Sequence, residues 1–310
     1  MTAKIGYLLP TRENVMRDDH GTDSLFALAH HAADLGFDSL WVGDSLFGRP
    51  RHDPLTLLAG VAVAIPNVEI GTAVLVPMLR NPVVLAQQLA TIDQMSGGRL
   101  IVGVGIGADT PSFHAEFQAA GVPFDKRVGR MLEGLQLMRA LWRGEPVKWD
   151  GRWTVNTQAA LAPKPTQQGG PPVWLAAGVD PGIARAAKHF DGWFPIGPDA
   201  ETFGTRNDYY RQCVRAESPR QSTTAMYLTI CLDDDVDAAD AAIDAYLADY
   251  YGAPPKVMRS IMACFGGSTE AVIAFMNGDI DAGAEHLILR LVGDHDATLE
   301  ALARNRHILR

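Results

Sequence analysis

The 310 residues carry 27 lysines and arginines against 36 aspartates and glutamates, a formal charge of −9, and 47% are hydrophobic. That balance excludes nucleic acid or an anionic membrane as a main partner, while the apolar share can fill a large core in one or two domains. Three scattered cysteines, Cys213, Cys231 and Cys264, form no C-x-x-C pair, so neither a disulfide framework nor a zinc ribbon is indicated.

Ile5–Leu9 reads as a first strand, reached almost at once, with no signal peptide ahead of it and no apolar run anywhere long enough to span a bilayer. A cytoplasmic protein is expected. Thr11–Gly21 reads as a polar loop, and Asp23–Leu35 as a helix with Leu25, Leu28, Ala32 and Leu35 on one face. Phe37–Val42 is a second strand ending in Gly43-Asp44-Ser45, followed by a loop bearing Arg49, Arg51 and His52. Asp53-Pro54 opens a helix to about Ala64.

The central stretch runs from Val68 to Asp109. Val68–Val76 and Arg99–Ile106 are short Val/Ile/Leu-rich runs, the pattern of strands buried on both faces in a parallel sheet. Between them Asn81 caps a helix that starts at Pro82, carries Leu85, Leu89 and Ile92 inward, and ends at Gly97-Gly98. The second strand runs into Gly103-Val104-Gly105-Ile106-Gly107, where backbone can approach a ligand closely. A periodic helix with Met131, Leu135, Met138 and Trp142 follows a long segment.

Residues 145–170 break the alternation, with a hairpin expected around Asp150-Gly151, and 252–267 is a second candidate excursion. Strands are expected at 173–177, near Trp193, at 226–232 and at 286–291, separated by helices. The motif Asp/Asn/Thr-Pro opens helices at Asp53, Asn81, Thr110 and Asp180, with Asp180 expected as an N-cap. About eight strands, mostly followed by capped helices, make a parallel α/β architecture. Periodicity alone does not separate a barrel from a doubly wound sheet.

Gly103-x-Gly105-x-x-Ala108 formally fits the dinucleotide fingerprint. A Rossmann site, however, requires an acidic residue ending the next strand, about twenty residues on, and here that segment enters a helix. An NAD(P)-dependent dehydrogenase is therefore an alternative of lower rank. No H-x-H, H-E-x-x-H or carboxylate cluster indicates a metal, and no G-x-S-x-G elbow a serine hydrolase.

Gly71-Thr72-Ala73-Val74, Pro82, Gln87–Asp93, Ser96–Leu100 and Gly103-Val104-Gly105 together resemble the luciferase-like monooxygenase family. The resemblance implies a single (β/α)8 TIM-barrel domain over 1–310, with insertions in its βα loops. It implies an oxidoreductase using reduced F420, or alternatively FMN, for hydride transfer or oxygen activation on a small-molecule substrate. A non-catalytic flavin-binding barrel is a further alternative that the family permits. By resemblance, Ala73 and Val74 form a bulge with a non-prolyl cis peptide against the cofactor ring, Ile106 and Gly107 lie near that ring, and Ala177, Gly178 and Val179 meet an anionic cofactor tail at a helix start. The last loop lacks the serines that FMN-using members often place there, which favours F420.

Asp44 is the first candidate for a ring or substrate contact and His52 the second; each also reads as an ordinary loop residue. Members that oxidise sugar phosphates place a glutamate proton donor where this chain has Ala108, and a histidine where it has Ser45. Neither a methyl nor a hydroxyl does general acid–base work near neutral pH, which argues against that reaction. A homodimer is expected, through the apolar helices after the second and third strands.

Overall fold

The computed structural model describes residues 2–217 and 222–310. In chain order the elements are β1 (Lys4–Leu8), α1 (Thr11–Met16), α2 (Asp23–Asp34), β2 (Ser39–Val42), α3 (Pro54–Ala64), β3 (Glu69–Leu75), α4 (Pro82–Ser96) and β4 (Leu100–Val104). Then come α5 (Pro111–Ala119), α6 (Arg127–Trp142), β5 (Pro146–Asp150), β6 (Thr154–Ala160), β7 (Val173–Leu175), α7 (Asp180–His189), β8 (Gly192–Trp193) and α8 (Ala200–Glu217). The chain finishes with β9 (Thr223–Leu232), α9 (Val236–Tyr251), α10 (Pro255–Arg259), β10 (Cys264–Gly267), α11 (Thr269–Asp281), β11 (His286–Val292) and α12 (His295–Arg304).

Eight strands close into a parallel barrel in the order β11, β1, β2, β3, β4, β7, β8, β9, with β9 pairing both β8 and β11. The (β/α)8 expectation holds. β10 is an additional strand beside the far end of β9, with Cys264 opposite Thr229 and Gly267 opposite Leu232. The chain divides into two compact units, one of residues 42–173 and one of residues 1–41 with 174–310.

Within 42–173 the helix starts follow from local chemistry. Asp53 accepts from the Thr56 amide at 2.9 Å and Asn81 from the Val83 amide at 2.9 Å, each ahead of a proline whose missing N–H costs nothing there. Gly97 ends α4 with φ +67°, a left-handed cap. The Asp93 carboxylate is fully buried because it accepts from Gln167, through the amide at 2.9 Å and Nε2 at 2.7 Å. This clasp returns the excursion to the barrel. The excursion itself is the antiparallel pair β5–β6.

In the other unit the inward-facing side chains of β2, β7 and β11 build a polar-cored aromatic plug. Ser39 Oγ lies 2.7 Å from His286 Nε2, and Trp41 Nε1 donates to Ser39 at 2.6 Å. Trp41 packs on Trp174 at 5.6 Å between ring centroids. Gly6 is required opposite them, since a Cβ there would meet Trp41 Nε1 at 2.5 Å. Burial drives the His286 pKa down to about 3, helped by nearby Lys4, so the imidazole is neutral.

Two expectations need correction. Thr11–Met16, expected within a polar loop, is the short helix α1. Asp180 is not an N-cap: Val179 holds that position, Asp180 is the first helical residue, and no side chain caps the helix. Pro181 shifts the start by one residue, leaving Asp180 to favour the positive end of the helix only through its charge. The second candidate excursion, 252–267, carries α10 and β10.

Candidate functional site

Barrel enzymes build their sites where the strands end. At the end of β3 the pairing with β4 slips: Thr72 lies opposite Val102, but Leu75 lies opposite Val104, leaving one extra residue on β3. The peptide between Ala73 and Val74 is cis, as the resemblance implies. On either side the bulge is pinned. Thr72 Oγ1 donates to the Gly103 carbonyl at 2.7 Å, and the Gly105 amide donates to the Leu75 carbonyl at 2.9 Å. Ala73 and Val74 are half-buried.

Gly105 has a specific steric reason. A Cβ there would lie 2.8 Å from Val74 Cγ2, so the valine side chain occupies the space a larger residue would need. Gly107 has a conformational reason as well. Its φ is +74°, and a Cβ would point at the rings of Phe113, at 3.1 Å, and Phe117, at 3.3 Å. A side chain there would therefore collide with α5 before reaching any ligand. Ile106 and Gly107 are half-buried and Ala108 is exposed.

Asp44 is where β2 ends, with its carboxylate almost fully buried and fully engaged. It accepts from the Val76 amide at 3.0 Å and from Arg80 twice, at 2.6 and 3.1 Å. Arg80 also reaches Asp53 at 3.0 Å. Burial favours the neutral form of Arg80, but Asp44 and then Asp53 outweigh it and hold the guanidinium above its ordinary pKa. Burial likewise favours the neutral form of Asp53, yet the Thr56 amide and Arg80 keep its pKa low. Asp44 thus fastens the segment just after the bulge. His52 is half-buried immediately before the Asp53 cap. Arg51 lies against Gly43, near the Ala73 carbonyl side of the bulge.

Glu116, which the sequence did not single out, is the other organising group here. Its Oε1 accepts from Ser45 Oγ at 2.5 Å and from three consecutive amides, Leu46 at 3.1, Phe47 at 3.0 and Gly48 at 2.7 Å. The N–H donors around it compensate this one oxygen of the buried carboxylate, and the loop after β2 is held so that Leu46 and Phe47 face solvent, Phe47 at 63% exposure. The only sequence signal was an acidic residue on the inward face of a short helix. The hydroxyl of Ser45 is committed to this clamp. His114, on α5, stacks on Phe124 at 3.9 Å and contacts Asp109.

In the other unit, Ala177 is half-buried at the end of the β7 segment, and its carbonyl accepts from Trp193 Nε1 at 2.7 Å. Gly178 and Val179 are exposed ahead of α7, Val179 at 68%. The amides at this helix start carry no side-chain cap. Among the described residues no group of three or more His, Cys, Asp or Glu is arranged to hold a metal, and no helix is long and apolar enough to cross a membrane.

Comparison with known proteins places the fold and the family. An F420-dependent glucose-6-phosphate dehydrogenase of Nocardia farcinica is 34% identical over 183 residues, 57% of this chain and 54% of the relative. A protein of the same description from Gordonia bronchialis is 37% identical over 177 residues, 54% and 51% of the two chains. The chain spans about half the length of the curated relatives it matches. Among solved structures, an F420-dependent secondary alcohol dehydrogenase superposes over 100% of both chains with TM-score 0.82 at 21% identity. A monooxygenase from Streptomyces bottropensis gives 0.80 at 22%, over 97% of this chain and 98% of the other. At such identities the likeness establishes the fold. The family model for luciferase-like monooxygenases matches residues 3–304, which take in the bulge of β3 and the glycines ending β4, and the chain belongs to that family.

Proposed function

We propose that this protein is an F420-dependent oxidoreductase acting on a small organic substrate, with FMN as the alternative cofactor. The observation that carries the reading is the pinned bulge of β3, which places two half-buried apolar side chains, Ala73 and Val74, at the C-terminal end of the strand. That placement fits a planar tricyclic ring: Ala73 and Val74 would back it, and Ile106 and Gly107 would border it. Relatives named as F420-dependent dehydrogenases support the choice of cofactor.

The exposed, uncapped amides around Ala177, Gly178 and Val179 are suited to an anionic tail, and Asp180, in the first turn, would keep that tail from approaching its own carboxylate. No hydroxyl side chain is present at 176–179, the feature that inclines the reading to F420 over FMN. When bound, the cofactor supplies the redox chemistry, as a two-electron carrier.

The protein's own part is binding, orientation and exclusion of water. Asp44 acts by holding Arg80 and the Val76 amide in place behind the bulge. His52, one residue before the cap of α3, is the nearer candidate for a substrate contact on that loop. Ala108 offers no proton, and Ser45 already donates to Glu116, so a substrate needing proton removal from an alcohol is disfavoured relative to direct hydride acceptance or oxygenation. A cytoplasmic homodimer is part of the same reading; Val63 on α3 and Val84 on α4 are exposed at 67% and 53%, available to a second copy.

The experiment is parallel titration of the full chain with F420, FMN and NADP, followed by tryptophan fluorescence and turnover. Tightest binding of F420 is expected. Micromolar FMN affinity with no F420 binding would move the assignment to FMN, and NADP binding alone would overturn it.

A further inference from the structure

The apolar strand β11 contains one charged side chain, Arg290, and its surroundings are unusual. In the β9–β11 register Arg290 lies opposite Thr229 and Ile288 opposite Tyr227. Paired residues of parallel strands share a face, and this face also carries His286, so Arg290, Thr229 and Tyr227 all stand inside the barrel. Arg290 is 5% exposed and Tyr227 6%.

Among the described residues the Arg290 guanidinium has no carboxylate partner. Nη1 donates to Tyr251 Oη at 2.7 Å and Nη2 to Tyr250 Oη at 2.9 Å. Its carbon sits 4.1 Å from the Tyr250 ring centroid and 5.1 Å from that of Tyr227. The nearest acidic residue on α1, Glu13, is engaged with Tyr246. Phenol dipoles and ring faces stabilise a cation in part, but a buried charge ordinarily requires an opposite charge. Three polar atoms of this cluster are buried without a hydrogen-bond partner: Arg290 Nε, Tyr227 Oη and Thr229 Oγ1. Burial raises the Tyr227 pKa well above the ordinary phenol value, so the hydroxyl keeps its proton and remains a donor.

We infer that Arg290 and Tyr227 form a carboxylate-binding site inside the catalytic half of the barrel, and that the small organic substrate therefore carries a carboxylate. Arg290 Nε and Tyr227 Oη match the two oxygens of one carboxylate, one N–H from the guanidinium edge and one O–H from the phenol, with the Thr229 hydroxyl able to donate to either. A doubly charged phosphate would bring more charge into this buried site than the one guanidinium at its centre offsets. Arg290 is the fifth of seven residues in β11, toward the strand end where barrels bind substrates. Tyr246, Tyr250 and Tyr251, from the last turns of α9, cover the cation from the other side. The term substrate rests on the oxidoreductase reading; the anion site itself does not.

The test is calorimetric titration of the full chain with benzoate, benzamide and inorganic phosphate at low salt, on wild type, Arg290→Met, Arg290→Lys and Tyr227→Phe, with F420 titrated in parallel. Benzoate should bind wild type at least tenfold tighter than benzamide, lose tenfold or more in Arg290→Met, and weaken by a smaller factor in Arg290→Lys and Tyr227→Phe, with F420 affinity unchanged. Should Arg290→Met not fold by circular dichroism, the Tyr227→Phe result decides. Benzoate binding no tighter than benzamide, or undiminished in the variants, overturns the site, as expected if a buried water merely satisfies these donors. Phosphate binding tighter than benzoate overturns the carboxylate assignment. F420 binding without carboxylate binding sinks this inference alone, whereas carboxylate binding without F420 binding sinks the cofactor reading alone.

Discussion

Replacing Asp44 by alanine measures how much the end of β3 depends on one carboxylate. The change removes two hydrogen bonds from Arg80 and one from the Val76 amide. Breaking a buried pair by deleting one partner costs roughly 3–5 kcal/mol, because the other charge is left uncompensated. Arg80 retains Asp53 at 3.0 Å, and the Asp53 side chain is 48% exposed, a weaker partner in high dielectric. The lower end of the range therefore applies, about 3 kcal/mol. For a chain of this size that corresponds to a drop in Tm of about 5 °C. Asp44→Asn, which can still accept from the Val76 amide, should lose about half as much. Arg80→Met in the same background should recover part of the loss, giving a coupling of about 2 kcal/mol in a double-mutant cycle by urea unfolding. Adding 0.5 M salt should change little, since the Asp44 side chain is 1% exposed. A loss below about 1 kcal/mol, or strictly additive variants, would refute the claim that this pair fastens the bulge.

Gly105→Ala should force the Val74 side chain to rotate, since the new methyl would lie 2.8 Å from Cγ2; F420 affinity is expected to fall about tenfold with the fold intact, and Val74→Ala should restore it in the double variant. Asp279, fully buried and without a hydrogen-bond partner, has its pKa pushed up to about 7 by burial and by Asp199. Because the folded state holds this proton more tightly than the unfolded chain, the associated stability is complete below about pH 4 and is lost as pH rises through 7, an effect of up to about 4 kcal/mol. Asp279→Asn should therefore flatten the stability profile between pH 4 and 8, and an unchanged slope in urea titrations would count against it. His286 has the opposite sign: its folded pKa of about 3 lies below the unfolded value, so stability is full above about pH 6.5 and is lost as pH falls toward 3. His286→Gln should shift acid unfolding to lower pH, as followed by circular dichroism.

Local structure was readable wherever one residue type had one physical consequence. Asp53 and Asn81 before prolines marked helix starts, Gly97 marked a helix end, and unbroken Val/Ile/Leu runs marked barrel strands. Thr11–Met16 was missed because six residues with no side-chain cap carry too little periodicity to stand out from a polar loop. The slip in pairing at Ala73–Val74 was visible only through resemblance, since the residues themselves suit an ordinary strand. Partners were not legible. Asp44 is 36 residues from Arg80, and Ser45 is 71 from Glu116, separations over which sequence specifies no geometry. A lone arginine in the run His286–Val292 was a usable signal for the tyrosine cluster, because a charge on the inward face of a barrel strand must be answered by something.

The four bonds converging on Glu116 Oε1 make the loop after β2 and the helix after β4 a single mechanical part. Anyone reshaping substrate preference by exchanging residues 45–48 with those of a relative would bring in a loop whose backbone expects its own anchor. The two segments have to be transplanted together, and a natural variant that lengthens one should carry a matching change in the other. Recombination between related genes that breaks between residues 48 and 116 would tend to yield a barrel that folds but presents Leu46 and Phe47 at the wrong angle.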